Sequence, residues 1–526
     1  MNNMDKNEVL KIERKSLANV TEVFLCFIIL LFPFWVDKTG FFKILEAKWS
    51  IHLIASIAYI STCITILMYF WFCRGVNPFK NIKIGKVQVF ILLFGVVAAI
   101  STLVSPYFKE YNLFIGTGRG EGLINTLLYT ISFLCVSSFL EFKKRYSTYF
   151  SISSLIFSFI CVLQYFGFNP FNMYQDGIGT HNVSFMGTIG NVDFVSAFYT
   201  IMITVSFASF IFLENKKWKS ILHLTAINMG FFIFQIIDVD SGKIGFLVIA
   251  ALLLPYIILN SKYLSRTLLV VSGIIIGFLV DIVINLKYYY DISSLRFEFQ
   301  FNKLALALLL CSIFILILSY LLRKYKYDLT QNKKLIIAIY FAMLIFIISV
   351  ILILYIKDFN IGMLHEIHEI LHGNFDDEYG TYRMFLWKRT FNIFKDRPII
   401  GTGPDSFAIE FMSRYSNDIK EIGEFSINDT AANVYFTLLV NVGVVGTLLY
   451  VIAICTCVFK LIKYLLNGEF IKNVTGSSKY YIIFALASLC YMVQDFFNLW
   501  VVIVTPIYFV TLAICENLNM KLDTDK

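Results

Sequence analysis

Arg383 and Trp387 stand four residues apart, which on a helix turns a guanidinium and an indole toward one side. A guanidinium presents a planar fork of N–H donors that fits a phosphate or carboxylate, and its stem can pack on an aromatic ring. The helix that would carry them runs from about Thr381 to Lys395 and is stopped by Pro398. Gly401-Thr402-Gly403-Pro404 follows, a tight turn in which the backbone can come close to a ligand through Gly401 and Gly403. The chemistry this spacing suits is the holding of an anion.

Upstream, His365, His368 and His372 fall at i, i+3 and i+7 in the stretch Gly362–His372, whose apolar Met363, Ile367, Ile370 and Leu371 recur at helical spacing. Half of the six histidines of the chain are here. A zinc site would need a further ligand, and the order is neither His-Glu-x-x-His nor His-x-x-Glu-His. No metal is therefore expected. The stripe reads as a solvated helix face, with His372 a candidate catalytic group. An acidic turn with Asp376 comes next, and Tyr379, Tyr382 and Tyr435 are candidate platforms for stacking a sugar.

These residues lie in Lys357–Asn433, the long hydrophilic stretch of a chain that is 58% hydrophobic and 15% charged, with mean hydropathy +0.73. Such a composition belongs to a polytopic membrane protein. At roughly 17–25 apolar residues per crossing, the sequence predicts an all-α integral membrane protein of about fourteen transmembrane helices with one large extracytoplasmic loop between helices 11 and 12. The expected spans are 17–35, 51–73, 87–105, 122–140, 149–167, 192–213, 221–237, 243–259, 267–285, 304–322, 335–356, 434–459, 480–497 and 500–516. The corresponding division is a cytoplasmic tail 1–16, a first membrane block 17–356, the loop 357–433, a second block 434–516 and a tail 517–526.

The ten cysteines sit in or beside apolar runs and read as buried hydrophobes, not as a disulfide framework. The net charge of +8 needs no nucleic acid, because basic residues collect in short loops. About 21 lysines and arginines fall in the alternate loops near 74–86, 143–145, 216–219, 262–266, 323–334 and 460–479, against about 8 in the others. The richer side is expected to be cytoplasmic, with both termini, and 357–433 to face out. The charged N-terminus runs into the first span without a small-residue cleavage site, so that span is expected to stay as an anchor. An outward site has no access to cytoplasmic nucleotide sugars, so a donor activated beforehand and carried across is expected.

The run Arg383…Trp387…Arg397-Pro398-Ile399-Ile400-Gly401-Thr402-Gly403-Pro404-Asp405-Ser406-Phe407 resembles the signature of the O-antigen ligase and polysaccharide polymerase family of integral-membrane glycosyltransferases. Gly118-Arg119-Gly120-Glu121-Gly122 is similar to its Arg-x-Glu-Gly stretch, and Gly187-Thr188-Ile189-Gly190-Asn191-Val192-Asp193-Phe194 to its Gly-Thr-x-Gly-Asn-x-Asn-Phe turn. Asp429 to Phe436, running into Asn441-Val442-Gly443-Val444-Val445-Gly446, resembles Asp-x-Ala-His-Asn followed by a paired-glycine step.

The resemblance implies a metal-independent transferase without a cofactor. It would take a glycan from an undecaprenyl-diphosphate donor, to a saccharide or other envelope acceptor, in membrane lipid. It implies Arg383 at the diphosphate, with Lys243 (of Asp240-Ser241-Gly242-Lys243) and Arg119 as further cations, and Asn191, Trp387, Asn433 and Tyr435 near the substrates. The family's histidine falls on Ala432, which can neither take a proton nor hold phosphate. A substitute such as His372, Asp376 or Asp429, a reaction carried by positioning and leaving-group stabilisation, or an inactive chain would each account for it. The reading adopted is a divergent active enzyme, with a flippase or a silent assembly subunit as alternatives. Asp281 and Asp495, within predicted spans, are expected to face a cavity or a partner.

Overall fold

The computed structural model describes residues 6–77, 84–166, 168–173, 187–213, 216–284, 286–287, 296–297, 302–422, 429–466 and 477–524. Among the described residues seventeen α-helices follow one another: α1 (Lys6–Leu30), α2 (Ile44–Arg74), α3 (Lys86–Leu103), α4 (Leu123–Phe139), α5 (Tyr146–Tyr165), α6 (Val192–Phe212), α7 (Lys217–Ile236), α8 (Asp240–Ile258) and α9 (Ser261–Ile284) come first. Then come α10 (Lys303–Lys324), α11 (Lys333–Ile356), α12 (Gly362–Leu371), α13 (Arg383–Phe394), α14 (Phe407–Ile422), α15 (Val434–Leu466), α16 (Ser477–Gln494) and α17 (Thr505–Thr524). Among the described residues the only ladder is a two-residue antiparallel pairing, Leu286–Lys287 with Arg296–Phe297.

Among the described residues twelve helices are long and apolar enough to cross a membrane, against the fourteen or so expected. The two that differ have plain reasons. Helix α4 is apolar but 17 residues long, because the loop before it stays folded as far as Gly122. Helix α17 is not among the twelve; it carries Glu516, Lys521 and Asp523, and starts at Thr505 after a 3-10 turn at Asp495–Phe497 and a short extended link. It runs to Thr524, through residues expected as a tail, and α1 begins at Lys6, within the expected N-terminal tail.

Helix α6 is the axis of the bundle. Every residue from Phe194 to Phe212 is buried, with α5, α7, α8 and α16 packed around it. Small polar residues let the neighbours come close: Ser206 of α6, Ser151 of α5 and His223 of α7 join at 2.7 Å. At the edge, α9 and α10 pair through serines seven apart on each. Ser265 Oγ donates to Ser319 O at 2.9 Å, Ser319 Oγ donates to Ser265 O at 2.8 Å, and Ser272 Oγ donates to Ser312 O at 3.3 Å. The outer faces of α10 and α11 expose Leu310, Phe314, Phe341 and Phe346, as a hydrocarbon-facing surface would.

Helix α15 is 33 residues long and breaks at Gly443, where φ is +66°. The freed backbone groups are satisfied by the turn after α13: Thr402 N–H donates to Val440 O (3.0 Å), Gly403 N–H to Asn441 O (2.8 Å) and Val444 N–H to Pro398 O (2.8 Å). Only glycine fits on both sides. A Cβ on Gly443 would lie 2.3 Å from Ile399 O, and one on Gly401, at φ +78°, 2.5 Å from Val440 O. The polar loop so anchored has its own core, with Phe385, Leu386 and Ile393 of α13 against Phe407 and Phe411 of α14 and Val440 of α15.

Candidate active site

The Asp405 carboxylate organises the loop between α3 and α4. Its Oδ2 accepts the backbone N–H groups of Gly118 (3.0 Å), Arg119 (3.2 Å) and Glu121 (3.3 Å), and Thr117 Oγ1 donates to its carbonyl at 2.6 Å. The wrap is tight: a Cβ on Gly116 would sit 2.2 Å from the same Oδ2. The Gly-Arg-Gly-Glu-Gly stretch and the Pro-Asp-Ser stretch, nearly 300 residues apart in sequence, are thus two halves of one device. Asp405 is buried, and burial first, then the nearby charge of Asp429, lifts its carboxyl to about 6 in spite of the three amides.

Wrapped this way, the loop projects Arg119 toward the segment before α15. Arg119 Nε donates to Asp429 Oδ2 at 2.7 Å, and its guanidinium lies 5.5 Å from the Phe194 ring centre. The salt bridge of Arg119 is to Asp429, not to Glu121 two residues along. Glu121 accepts a bond from Tyr129 OH at 3.1 Å. Burial, then the charge of Asp405, raises its carboxyl to about 8, so it is largely protonated at neutral pH. Arg119, Glu121, Asp405, Thr430, Asn441 and Trp500 line a cavity of about 50 Å³, room for no more than a few waters.

Arg383 opens α13, after Thr381 and Tyr382 in the left-handed region. Its Nη1 donates to Gly380 O at 3.1 Å and its Nη2 to Phe497 O at 3.4 Å, fixing the fork between the loop and the end of α16. The Nε is buried and has no hydrogen-bond partner, and among the described residues no carboxylate forms a salt bridge with this guanidinium. Asp193, in the first turn of α6, is within electrostatic reach of both Arg383 and Arg119, and Asn498 Nδ2 donates to its carbonyl at 3.0 Å. Two cations and two carboxylates from four distant stretches therefore share one end of the bundle.

The remaining expected site residues divide. Asn433 is buried at the start of α15, its Oδ1 accepting Phe436 N–H at 3.1 Å and its Nδ2 lacking a partner. Trp387 donates from Nε1 to Ala431 O at 3.1 Å and packs edge-on against Phe436 and Phe496, holding α13 to the Asp429 segment. Asn191 caps α6, accepting Asp193 N–H at 2.7 Å, and the Tyr435 hydroxyl donates to Met492 O at 2.8 Å. The close approach that Gly401 permits is to the protein's own broken helix, whereas a Cβ on Gly403 would lie 3.1 Å from Leu113 Cδ1. Lys243 is paired with Asp238 (3.3 Å) and Asp240 (3.0 Å) of its own turn, which sits against α6 through the Gly242 N–H to Ser196 Oγ bond of 3.1 Å.

The histidines turn to α11. His368 Nδ1 bonds Leu354 O at 2.7 Å, one of the last carbonyls of α11, His365 Nδ1 meets Asp358 Oδ2 at 2.9 Å, and the His372 ring stacks on Tyr355 at 4.4 Å. Among the described residues none of the three hydrogen-bonds to Arg119, Arg383 or Asp429, and no cluster of histidine, cysteine and acid suited to a metal is present. Asp376 caps its own turn, accepting Glu378 N–H at 2.9 Å. Asp281 is held by Tyr165 and Gln235, each at 3.2 Å. Asp495 is buried, with Oδ2 accepting Trp500 Nε1–H at 3.3 Å and Oδ1 without a partner.

Sequence reasoning passed over Asp405 and Glu121 as site residues, although both lie in quoted motifs; for Glu121 a lone acid between two glycines is the signal it could have used. It also passed over Lys48, buried in α2, whose Nζ donates to Phe32 O (2.8 Å) and Pro33 O (2.7 Å) and so closes the end of the first helical segment. Nothing in its surroundings in sequence announced that.

Among curated proteins no match to the chain is found. Residues 299–451 match the model of the family described as O-antigen ligase; the matched part takes in Arg383, the glycine turn, Asp429 and Asn433 but leaves Arg119 outside.

Proposed function

We propose that the protein joins a glycan, delivered on an undecaprenyl-diphosphate donor, to a saccharide or other envelope acceptor at the outer face of the cytoplasmic membrane. The observation that carries this reading is Arg383: a guanidinium that forms no salt bridge among the described residues, with a buried Nε–H that has no acceptor of its own, facing the same Asp193 carboxylate that Arg119 reaches. Such a site suits a diphosphate. In the reaction the acceptor oxygen attacks the anomeric carbon, the bond from that carbon to the diphosphate oxygen breaks, and Arg383 stabilises the charge on the leaving lipid diphosphate. The acceptor hydroxyl proton passes to a carboxylate. Asp429 takes this role, because Arg119 holds it in place at the site, whereas His372 is turned to Tyr355.

About fourteen crossings, counting α4 and α17, put both termini in the cytoplasm and residues 357–433 outside, which agrees with the excess of basic residues in the opposite loops. Lys243 serves as a rim cation of the same face. The test is polymer or conjugate formation in cells lacking the endogenous enzyme, with wild type, Arg383→Ala and Ala432→His. Activity that survives Arg383→Ala sinks the diphosphate role. An inactive wild type that Ala432→His revives would instead identify a degenerate member kept for assembly.

A further inference from the structure

The end of the bundle opposite the arginine site holds a larger cavity, about 800 Å³, among α6, α7, α9 and α10. Its position follows from the chain direction of α6, which begins beside Asp193 and reaches the cavity at Phe210, roughly 25 Å away at about 1.5 Å per residue. Lys217, Lys262, Arg266, Arg323 and Lys326 line it, with Asp328 the one carboxylate among the described lining residues. Asp328 is already engaged, accepting from Thr330 N–H (3.1 Å) and the Thr330 hydroxyl. Five cations less one acid leave a formal +4 among the described residues that line it.

Two of these cations are oriented by the fold. Arg266 Nη1 donates to Phe210 O (2.7 Å), Ile211 O (2.9 Å) and Leu213 O (3.0 Å), closing the C-terminus of α6. Arg323 Nε donates to Ser265 Oγ at 3.2 Å, placing its guanidinium where α9 and α10 meet. The other wall is apolar, with Ile221, Leu224 and Leu269, and the next turns of α10 expose Leu310, Ile317 and Leu321. A rule that places basic residues in one set of loops accounts for their number but not for five of them meeting round one cavity with an apolar flank.

We propose that this cavity binds the phosphate headgroup of an anionic phospholipid, with an acyl chain lying along α9 and α10. The chemistry is that of an amphipathic phosphodiester: cations for the phosphate, hydrocarbon beside them. The site is independent of the transfer reaction.

The probe is phosphatidylglycerol. Delipidated protein in neutral detergent is titrated with it and followed by native mass spectrometry, with phosphatidylcholine and inorganic phosphate as separate arms. Binding of phosphatidylglycerol over phosphatidylcholine is expected, with inorganic phosphate a poor competitor. Lys217→Gln/Lys326→Gln, two exposed changes that leave the Arg266 and Arg323 bonds intact, should weaken it roughly 25-fold, at roughly 5-fold per cation. Lys333→Gln/Lys334→Gln, on the neighbouring helix start outside the cavity, should change it less than about 3-fold. Equal loss in both double variants would make the attraction diffuse and overturn the site. Effective competition by inorganic phosphate would assign the cavity to free phosphate and overturn the lipid assignment.

Discussion

Arg119 donates to Asp429 at 2.7 Å across 310 positions of sequence, and so ties the loop before α4 to the segment before α15. Both loops are held from behind, the first by the Asp405 carboxylate and the second by Trp387 on Ala431. The pair is therefore placed by two independent anchors, and the proposed base is fixed in position by the proposed second cation.

Removing one partner should hurt more than removing both. Arg119→Ala leaves Asp429, whose side chain is only 12% exposed, without its counter-charge, at a cost of about 1–3 kcal/mol. Arg119→Ala/Asp429→Ala should recover part of the thermal midpoint but none of the transfer activity. A double-mutant cycle on midpoint and turnover separates the two; recovery of turnover in the double variant would remove Asp429 from the reaction.

Arg383→Ala should lower turnover by about 10²–10³-fold, the usual loss when a charge-stabilising donor is removed, with little change in the thermal midpoint, because its two bonds are long and to carbonyls. Arg383→Lys should recover little. A single ammonium cannot reach Gly380 and Phe497 and still present a donor to the ligand. Turnover of a lipid-diphosphate glycan by detergent-purified protein reads this, and near-normal activity in Arg383→Lys would argue for a simple point charge.

The membrane class, the long helices and the loop module were legible because hydrophobic runs and their breaks are local properties. Arg383 drew notice as a candidate because it lies in a polar stretch with a recognisable spacing. What sequence could not supply were pairings across long separations. Arg119 has two acids within reach on paper, and only the fold shows that Glu121 turns to Tyr129 while Asp429 arrives from 310 residues away. Gly401 and Gly443 were visible as glycines, but that each makes room for the other's stretch of backbone depends on the break in α15. The histidine stripe was visible too. Its direction, toward the last carbonyls of α11, was set by a packing contact that periodicity does not encode.

The docking of turn and broken helix gives a graded set of substitutions. Gly443→Ala and Gly401→Ala each add a Cβ within 2.5 Å of a backbone oxygen at positive φ, so both should lower stability by about 3 kcal/mol, the sum of an overpacking and a backbone cost. Gly373→Ala, at φ +84° with nothing within 4 Å, should cost only the backbone share, about 1 kcal/mol. Thermal midpoints in detergent rank the three, and a Gly373→Ala loss equal to the others would show that contact with the α15 break is not the cause.

Stability should fall as pH rises from about 4 to about 8. Burial raises Asp405 from 3.8 to about 6 and Glu121 from 4.5 to about 8. Both carboxyls thus stay protonated in the folded protein at pH values where the unfolded chain has already ionised. Between the unfolded and folded values the unfolded state binds fewer protons, so each unit of pH in that window favours unfolding, and the effect levels off above the folded value. Asp405 acts from about 4 to 6 and Glu121 from about 4.5 to 8. Glu121→Gln keeps an acceptor for Tyr129 OH and removes the titration, so its midpoint should lie above that of wild type at pH 8 and converge with it near pH 5. Midpoints at pH 5, 6, 7 and 8 for the two proteins test this. Parallel curves would mean that Glu121 is ionised in the folded state throughout, and the buried acid beside Asp405 would then have to be drawn as a carboxylate.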